Sequence, residues 1–306
     1  MRFLFRSPVS SPVSPLSPLS PCFPAKDASM GDGLRLREQD TMHRLLVEPY
    51  HSAVIHDHLA KVHASGRRSA VLDVGSGTGR WAAQLANAEP FADVAAVAPS
   101  WKMYAGDAVQ HGNLDFSSAD ITRPLPWSSG YFDLIQVKGL ARSVKSYRSL
   151  IERLARLLRR GGLLIMVESD VSFELANGCP VPACLRQWNA AVKAALTARG
   201  VDSQMGCKLG ECVQSAGVFG ASAYVQELGV PVACYANEAS SSLVQAGRIH
   251  SHILSLEFQS FMPELLAYGY RQSDVQAMMD NCIQQLSHPG AKYLQKLYAV
   301  YAVKSG

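Results

Sequence analysis

The stretch Val-Leu-Asp-Val-Gly-Ser-Gly-Thr-Gly, from Val71 to Gly79, constrains the fold of this chain more than any other. Strand-forming residues lead directly into three glycines at alternate positions, and a helix-forming run begins at Arg80. A strand that turns sharply into a helix presents unpaired backbone N–H groups, and glycines let a ligand approach them closely. Open α/β sheets build nucleotide pockets in this way, at the carboxyl end of the first strand. We therefore predict a ligand-binding loop here rather than an ordinary glycine-rich turn.

The glycine spacing separates two kinds of nucleotide site. Dinucleotide sites favour Gly-x-Gly-x-x-Gly, whereas here Arg80 stands where that pattern wants its third glycine. Asp73, two residues before the first glycine, completes Asp-x-Gly-x-Gly-x-Gly, which resembles motif I of the class I S-adenosylmethionine-dependent methyltransferases. The resemblance implies that the loop passes under the methionine part of this cofactor and that Asp73 faces its amino group. The loop residues are Gly75, Ser76, Gly77, Thr78 and Gly79.

The same resemblance assigns cofactor contacts to residues that follow the next predicted strands. Asp120 matches an acid that accepts a hydrogen bond from the adenine amino group, and Ile121 matches the apolar residue that covers the ring. Pro99 would pack against adenine, and Val137 would lie at the rim of the pocket, where the fourth strand ends. A competing interpretation is that Asp120 only caps a turn before Pro124.

Ala98 departs from the family pattern. In the resembled family the second strand ends in an acid that holds both ribose hydroxyls, and alignment of the strand ending Val-Ala-Pro-Ser places Ala98 there. Hydrogen bonds to a charged group contribute roughly 1.5–3 kcal/mol each. We therefore expect weaker cofactor binding than in a family member that has the acid.

The central part of the chain resembles a narrower group. The order Leu-Ala-Arg-Ser-Val-Lys-Ser-Tyr-Arg-Ser-Leu, a leucine-rich helix, Arg-Gly-Gly-Leu-Leu and Val-Glu-Ser-Asp is similar to the fungal LaeA-type methyltransferases. That group is known for regulating secondary metabolism through partner proteins. The resemblance covers roughly residues 38 to 304, and it implies a methyl acceptor that is a small molecule or, second, a protein, together with a regulatory protein partner.

Strand-like and helix-like segments alternate along the chain, which predicts an α/β fold. We predict a Rossmann-like, doubly wound, mostly parallel seven-stranded sheet with helices on both faces and an antiparallel last strand. The predicted strands are 69–74, 93–98, 114–116, 131–137, 163–167, 221–232 and 296–304. The predicted helices are 36–64, 80–86, 144–159, 183–198, 208–216 and most of 240–286. Gly161-Gly162 is expected to terminate the helix 144–159.

The chain divides into an arm and one domain. Residues 1–35 carry a Ser-Pro array that blocks helix, and we expect them to be disordered. Residues 36–306 form the expected methyltransferase domain, with a helical addition at 36–66 and helices of the acceptor site within 170–290.

Composition excludes several classes of function. A net charge of +4, from 29 Lys and Arg against 25 Asp and Glu, is too small for a nucleic-acid footprint. No window of about 18 apolar residues predicts a membrane-spanning helix. The cysteines are scattered and lack zinc spacing, so we expect free thiols, no metal and a cytoplasmic or nuclear location.

The catalytic group is the weakest part of the prediction. His250, His252 and Glu168 are the candidates for a base that deprotonates the acceptor. A histidine on a helix face is more often structural or solvated, and Lys138 either meets a substrate acid or is solvated. Two alternatives to an enzyme of this class stay open: a catalytically weak or inactive regulator with this fold, which Ala98 favours, and a nicotinamide-dependent oxidoreductase, which Arg80 disfavours.

Overall fold

The computed structural model describes residues 30–48, 50–98, 112–220, 223–233, 240–288 and 291–305. The predicted disordered arm up to residue 29 and the cofactor candidate Pro99 lie outside the described residues.

The described residues form one seven-stranded sheet in the order β3-β2-β1-β4-β5-β7-β6. The first five strands pair in parallel, whereas β7 is antiparallel to both β5 and β6. The strands are β1 (Ser69–Val74), β2 (Ala92–Ala98), β3 (Leu114–Ser118), β4 (Phe132–Lys138), β5 (Leu158–Leu175), β6 (Tyr224–Pro231) and β7 (Tyr293–Val303). The predicted doubly wound, mostly parallel sheet is therefore confirmed.

Helices cover both faces of this sheet. They are α1 (Met30–Val47), α2 (Tyr50–Ala64), α3 (Arg80–Ala88), α4 (Tyr147–Leu157), α5 (Ala183–Ala198), α6 (Met205–Ser215), α7 (Ser241–Gln259), α8 (Met262–Tyr268) and α9 (Gln272–Leu286). Because the strand order reverses between β1 and β4, the crevice of the fold lies at the carboxyl ends of those two strands.

Alternate residues of the central strands face opposite sides of the sheet. Leu72 and Val74 of β1 pack in the cluster that includes α4 and α6. Val71 packs in the cluster that includes α1, α2 and α3. Both sets are fully buried, as parallel strands covered on two faces require. A third cluster, around Trp188 and Phe258, joins α5, α7, α8 and α9 beyond the sheet.

Two local predictions are wrong. The N-terminal helix begins at Met30 rather than 36, and residues 36–64 belong to two helices, α1 and α2. Gly161-Gly162 does not end a helix: α4 already ends at Leu157, and both glycines lie within β5. The pairing of β4 with β5 shifts register there, between Phe132 and Leu134, so the two glycines accommodate a bulge.

Candidate functional site

The glycine loop leaves β1 at the crevice and is fixed by the neighbouring strand. The N–H groups of Gly75 and Ser76 both donate to the carbonyl of Val97 in β2, at 2.9 and 3.1 Å. Gly75, Gly77 and Gly79 have positive φ, which L side chains rarely adopt. A Cβ on Gly75 would lie 2.6 Å from Leu140 Cδ2. Among the described residues, a Cβ on Gly77 would meet only the carbonyl oxygen of Gly75, at 3.9 Å. The loop is therefore packed from behind at Gly75 and open at Gly77.

Asp73 is a buried acid beside this loop with an unused oxygen. Its side chain is 2% exposed, and its Oδ2 has no hydrogen-bond partner among the residues that the structure describes. Burial raises the pKa of Asp73 to about 7, against the opposing effect of Lys138. The Ser76 hydroxyl oxygen is a second buried polar atom without a described partner. Buried polar atoms are normally hydrogen-bonded, so these two mark a place for a polar ligand.

Three polar residues stand in a row along this edge, on the sheet face that α1 covers. Val71, Leu134 and Ile165 pack on this face, and side chains two or four residues apart in a strand point to the same face. Asp73 in β1, Lys138 in β4 and Ser169 in β5 therefore share it. We call Asp73, Lys138 and Ser169 the edge row. The row runs across the crevice where ligands of such sheets bind.

Helix α1 lies over the edge row. Lys138 Nζ donates to Asp40 Oδ1 in a half-buried ion pair. His43 Nε2 lies 3.4 Å from Ser169 Oγ, and Arg80, which follows the glycine loop, donates to Thr41 Oγ1 at 3.3 Å. The predicted helical addition is thus part of the site. Lys138 is partly exposed in this arrangement, and its ammonium group is paired with Asp40.

His43 is a site residue that the sequence prediction missed. It is 8% exposed, and its Nδ1 has no hydrogen-bond partner in the described part of the chain. The only signal in the sequence is that Asp40 and His43 are three residues apart and therefore share a helix face.

Glu168 is corrected from a candidate base to a structural carboxylate. It is 1% exposed and faces α4, the side of the sheet opposite to the edge row. Its Oε1 accepts from the N–H of Leu140, at 2.8 Å, and from the hydroxyl of Tyr147; its Oε2 accepts from the N–H of Ala141 at 3.0 Å. These bonds hold the loop after β4. Burial raises the pKa of Glu168 to about 7, although all three donors oppose that shift.

His250 is also corrected, because both of its ring nitrogens are occupied. Nδ1 lies 3.0 Å from the carbonyl oxygen of Pro231, and Nε2 lies 3.0 Å from Glu257 Oε2. Glu257 accepts a further bond from Gln295, and although burial raises its pKa, the bond from His250 and its other partners hold that pKa at about 2. Both ring nitrogens of His250 thus face acceptors within the fold, and neither is left for a substrate. His252 is exposed on α7 and has no place in the site.

Of the cofactor candidates that follow the later strands, Asp120 lies in a turn, whereas Ile121 and Val137 lie in the core. Asp120 Oδ1 accepts from the N–H and hydroxyl of Thr122, at 2.9 and 2.6 Å, as the turn interpretation predicted. The bonds to Thr122 and the charges of Arg123 and Arg153 lower its pKa although burial raises it. Ile121 is 1% exposed and Val137 is fully buried. Both pack in the core under α4, so their side chains are core residues rather than ring-covering or rim residues.

Ala98 ends β2, as the alignment required. It pairs with Ser118 of β3 and is 4% exposed. Its side chain offers no hydrogen bond to a ribose, so the predicted departure from the family pattern remains in the folded chain.

The switch point, the glycine loop and the buried acid beside it define an α/β domain of the Rossmann-like class. Residues 72–166 match the family model described as a methyltransferase domain. This segment runs from β1 to β5 and includes the loop, Asp73 and Lys138.

The curated relatives are fungal. Methyltransferase pytC of Aspergillus terreus is 29% identical over 140 residues, which cover 44% of this chain and 40% of the relative. The secondary metabolism regulator laeA of Coprinopsis cinerea is 24% identical over 243 residues, covering 76% of this chain and 58% of the relative. The chain thus spans about half the length of these relatives. The predicted resemblance to fungal methyltransferases and secondary-metabolism regulators is confirmed.

Solved structures similar to this chain include phosphoethanolamine N-methyltransferase 2 of Haemonchus contortus in complex with S-adenosyl-L-methionine. It is 15% identical with a TM-score of 0.45, covering 82% of this chain and 53% of that chain. The [4+2]-cyclase SpnF is 17% identical with a TM-score of 0.44, covering 78% of this chain and 76% of that chain.

A methyltransferase domain implies S-adenosylmethionine as cofactor, and the residues present fit its methionine part. The unpartnered Oδ2 of Asp73 is an acceptor for an ammonium group, and the open side of Gly77 admits a ligand against the backbone. At the ribose position, Ala98 does not fit the usual bidentate grip. No described helix is long and apolar enough to cross a membrane, and no three His, Cys, Asp or Glu side chains converge in the described ranges to hold a metal.

Proposed function

We propose that this chain is an S-adenosylmethionine-dependent methyltransferase that acts on a small molecule, in the setting of secondary metabolism. The observation that carries the proposal is the unpartnered, buried Asp73 Oδ2 beside the open glycine loop. Leaving a buried acceptor unpaired costs about 1–3 kcal/mol. A ligand that donates to this oxygen recovers that cost, which gives the folded chain a reason to bind an ammonium-bearing cofactor.

The bound cofactor would supply an electrophilic methyl group on a sulfonium. The chain itself supplies position and exclusion of water. Asp73 and Ser76 would hold the methionine part, and α1 would shield the edge row. Asp120 would accept from the adenine amino group through Oδ2, which also pairs with Arg123 at 3.4 Å. Ion pairing of Asp40 with Lys138 holds α1 against the end of β4, beside the proposed site.

The methyltransferase pytC supports the reaction class, and the name of the regulator laeA points to secondary metabolism. We place the protein in the cytoplasm or nucleus and include a regulatory protein partner in the proposal, because one relative is named a regulator and aligns with 76% of this chain.

A second candidate is a regulator with weak or absent catalysis. Ala98 favours it, since the missing ribose acid removes a charged contact from the cofactor site. The two candidates differ in cofactor affinity and not in fold.

Calorimetry on the purified chain separates the candidates. We expect S-adenosylmethionine and S-adenosylhomocysteine to bind with affinities in the micromolar range, and NADH not to bind. Absence of binding at millimolar S-adenosylmethionine would exclude the enzyme and leave the regulator, whereas tight NADH binding would support an oxidoreductase.

A further inference from the structure

We propose that His43 takes the proton from the methyl acceptor and that this acceptor is a small molecule methylated on a hydroxyl group. The inference rests on the proposed function and adds to it a catalytic residue and the chemical class of the substrate.

His43 lies where α1 meets the edge row. Its Nε2 is 3.4 Å from Ser169 Oγ, and the neighbouring turn of α1 places Asp40 on Lys138. The charges of Lys138 and Asp40 act on both Asp73 and His43, so this one ion pair lies close to the cofactor acid and to the histidine. His43 is therefore next to the place that the glycine loop and Asp73 assign to the cofactor.

A free nitrogen distinguishes His43 from the other buried histidines of the described ranges. In His51, Nδ1 lies 3.1 Å from the Tyr301 hydroxyl and Nε2 lies 2.9 Å from Gln136 Oε1. His250 is held by a carbonyl and a carboxylate, as described above. His43 Nδ1 is buried and has no described partner. A buried nitrogen without a partner is unfavourable unless a ligand completes it.

The surroundings keep His43 neutral and can also accommodate its charged form. Burial and the charge of Lys138 lower the pKa of His43 to about 4, with a smaller lowering from His250. Asp40 on α1 and Glu257 on α7 act in the opposite direction. The imidazole is thus unprotonated at neutral pH, and two carboxylates lie near enough to stabilise the imidazolium that forms during transfer.

The step balances without any further reactant. The acceptor O–H bond breaks as its proton moves to His43 Nδ1, and an oxygen lone pair forms the new O–CH₃ bond. The bond from methyl carbon to sulfur breaks, and its electron pair stays on sulfur. One positive charge is consumed at the sulfonium and one appears on His43, which later returns its proton to solvent.

The need for a proton acceptor selects the substrate class. A carboxylate acceptor is already ionised at neutral pH and needs no proton acceptor. A hydroxyl group is neutral on binding and must lose a proton during transfer. A neutral hydroxyl compound therefore fits the unpartnered nitrogen of His43.

The test compares phenols with thiophenols of the same ring at pH 8, because a thiophenol is already ionised and needs no base. For His43→Asn we expect phenol methylation to fall about 10²–10⁴-fold. Thiophenol methylation and calorimetric affinity for S-adenosylhomocysteine should stay within about threefold of the parent protein. His252→Asn, an exposed histidine changed in the same way, should leave all three quantities unchanged.

Equal loss for both acceptors, or no loss for the phenol, overturns the proposal. A parent protein that binds S-adenosylhomocysteine but methylates no phenol also overturns it, while the proposed cofactor site stands. Failure to bind S-adenosylhomocysteine removes the proposed function instead. If His43→Asn does not fold, NMR of ¹³C-labelled histidine in the parent protein provides the test. A His43 imidazole that is already charged at pH 7 contradicts the proposal. An imidazole that is neutral and changes its chemical shift when a phenol is added supports it.

Discussion

Asp40 in α1 and Lys138 at the end of β4 form an ion pair although they are 98 residues apart in the chain. This contact ties an N-terminal helix, which packs mainly against α7, to the carboxyl end of β4. Helix α1, which the sequence indicates only as an N-terminal addition, therefore forms one wall of the site. His43 belongs to the same helix and lies in that wall.

Asp40→Asn should therefore loosen α1 more than it destabilises the sheet. The pKa of Asp40 is lowered because Lys138 outweighs the effect of burial. A lowered carboxyl pKa stabilises the fold above the pKa of the unfolded chain, and this stabilisation is lost as pH falls through the folded pKa. We expect the variant to lose about 1–3 kcal/mol of unfolding free energy at pH 7 and much less near pH 3.

Urea denaturation at the two pH values measures this loss, and hydrogen exchange reports faster opening of α1. Asp57→Asn, at an exposed position of α2, is the control and should change neither quantity. An equal loss at both pH values would show that the ion pair contributes little.

Asp73→Asn should stabilise the protein without cofactor and weaken cofactor binding. Burial raises the pKa of Asp73 to about 7, so stability falls as pH rises from about 4 through 7 and the full penalty is present at pH 8. An amide carries no such penalty. We expect a gain of about 1–3 kcal/mol at pH 8, little change at pH 4, and at least a tenfold loss of S-adenosylmethionine affinity.

Glu168→Gln is the matched comparison because burial raises the Glu168 pKa to about 7 as well. Its oxygens accept from three donors, which one amide cannot do, so this variant should be less stable at pH 8. Denaturation of both variants at pH 4 and 8 checks the contrast. A stabilised Glu168→Gln would contradict its assignment as a structural carboxylate.

Gly77→Arg should fold and lose the cofactor. The strain of a side chain at φ 53° costs roughly 1–2 kcal/mol, and the open space beside Gly77 leaves room for the side chain where a ligand would lie. Gly178→Arg is the control for backbone strain, because Gly178 also has a positive φ, of 72°. Among the described residues, no atom lies within 4 Å of a Cβ at that position. Calorimetry with S-adenosylhomocysteine should show binding in the control alone. Retained affinity in Gly77→Arg would place the pocket elsewhere.

Ala98→Asp should restore the contact that the family pattern implies. We expect cofactor affinity to rise about tenfold or more, since one charged hydrogen bond contributes about 1.5–3 kcal/mol. The protein without cofactor should lose stability, because Ala98 is 4% exposed and the new carboxylate would be buried. Calorimetry and thermal unfolding with and without S-adenosylmethionine test both effects, with Ala98→Asn as the uncharged control. Unchanged affinity would mean that the ribose lies away from β2.

Local pattern predicted much of this protein. The bounds of β1 and α5 agree with the sequence prediction to the residue. A short apolar run between turn residues is compatible with a buried strand, and a long amphipathic run with a helix, so the local pattern alone indicates the element. The Gly161-Gly162 prediction was wrong since glycines that end a helix and glycines that form a strand bulge look alike in sequence.

The roles of the polar residues could be predicted only where their partners are close in the chain. The turn formed by Asp120 with Thr122 was one of the two interpretations that the sequence offered. Glu168 and His250 were candidates for a base, and their partners in distant elements could not be foreseen. A carboxylate or an imidazole is free or occupied according to what the fold brings within 3 Å of it, and this does not follow from its neighbours in sequence.

The sequence by itself determined the alternation of strands and helices, the glycine loop with Asp73 beside it, and the missing acid at Ala98, because each is set by local backbone geometry or by residue identity at one strand end. Only the tertiary structure decided that α1 closes the site through Asp40 and Lys138 and that His43 keeps a free nitrogen. Those facts depend on desolvation and on contacts between residues that are about a hundred positions apart, which exist only once the sheet has assembled.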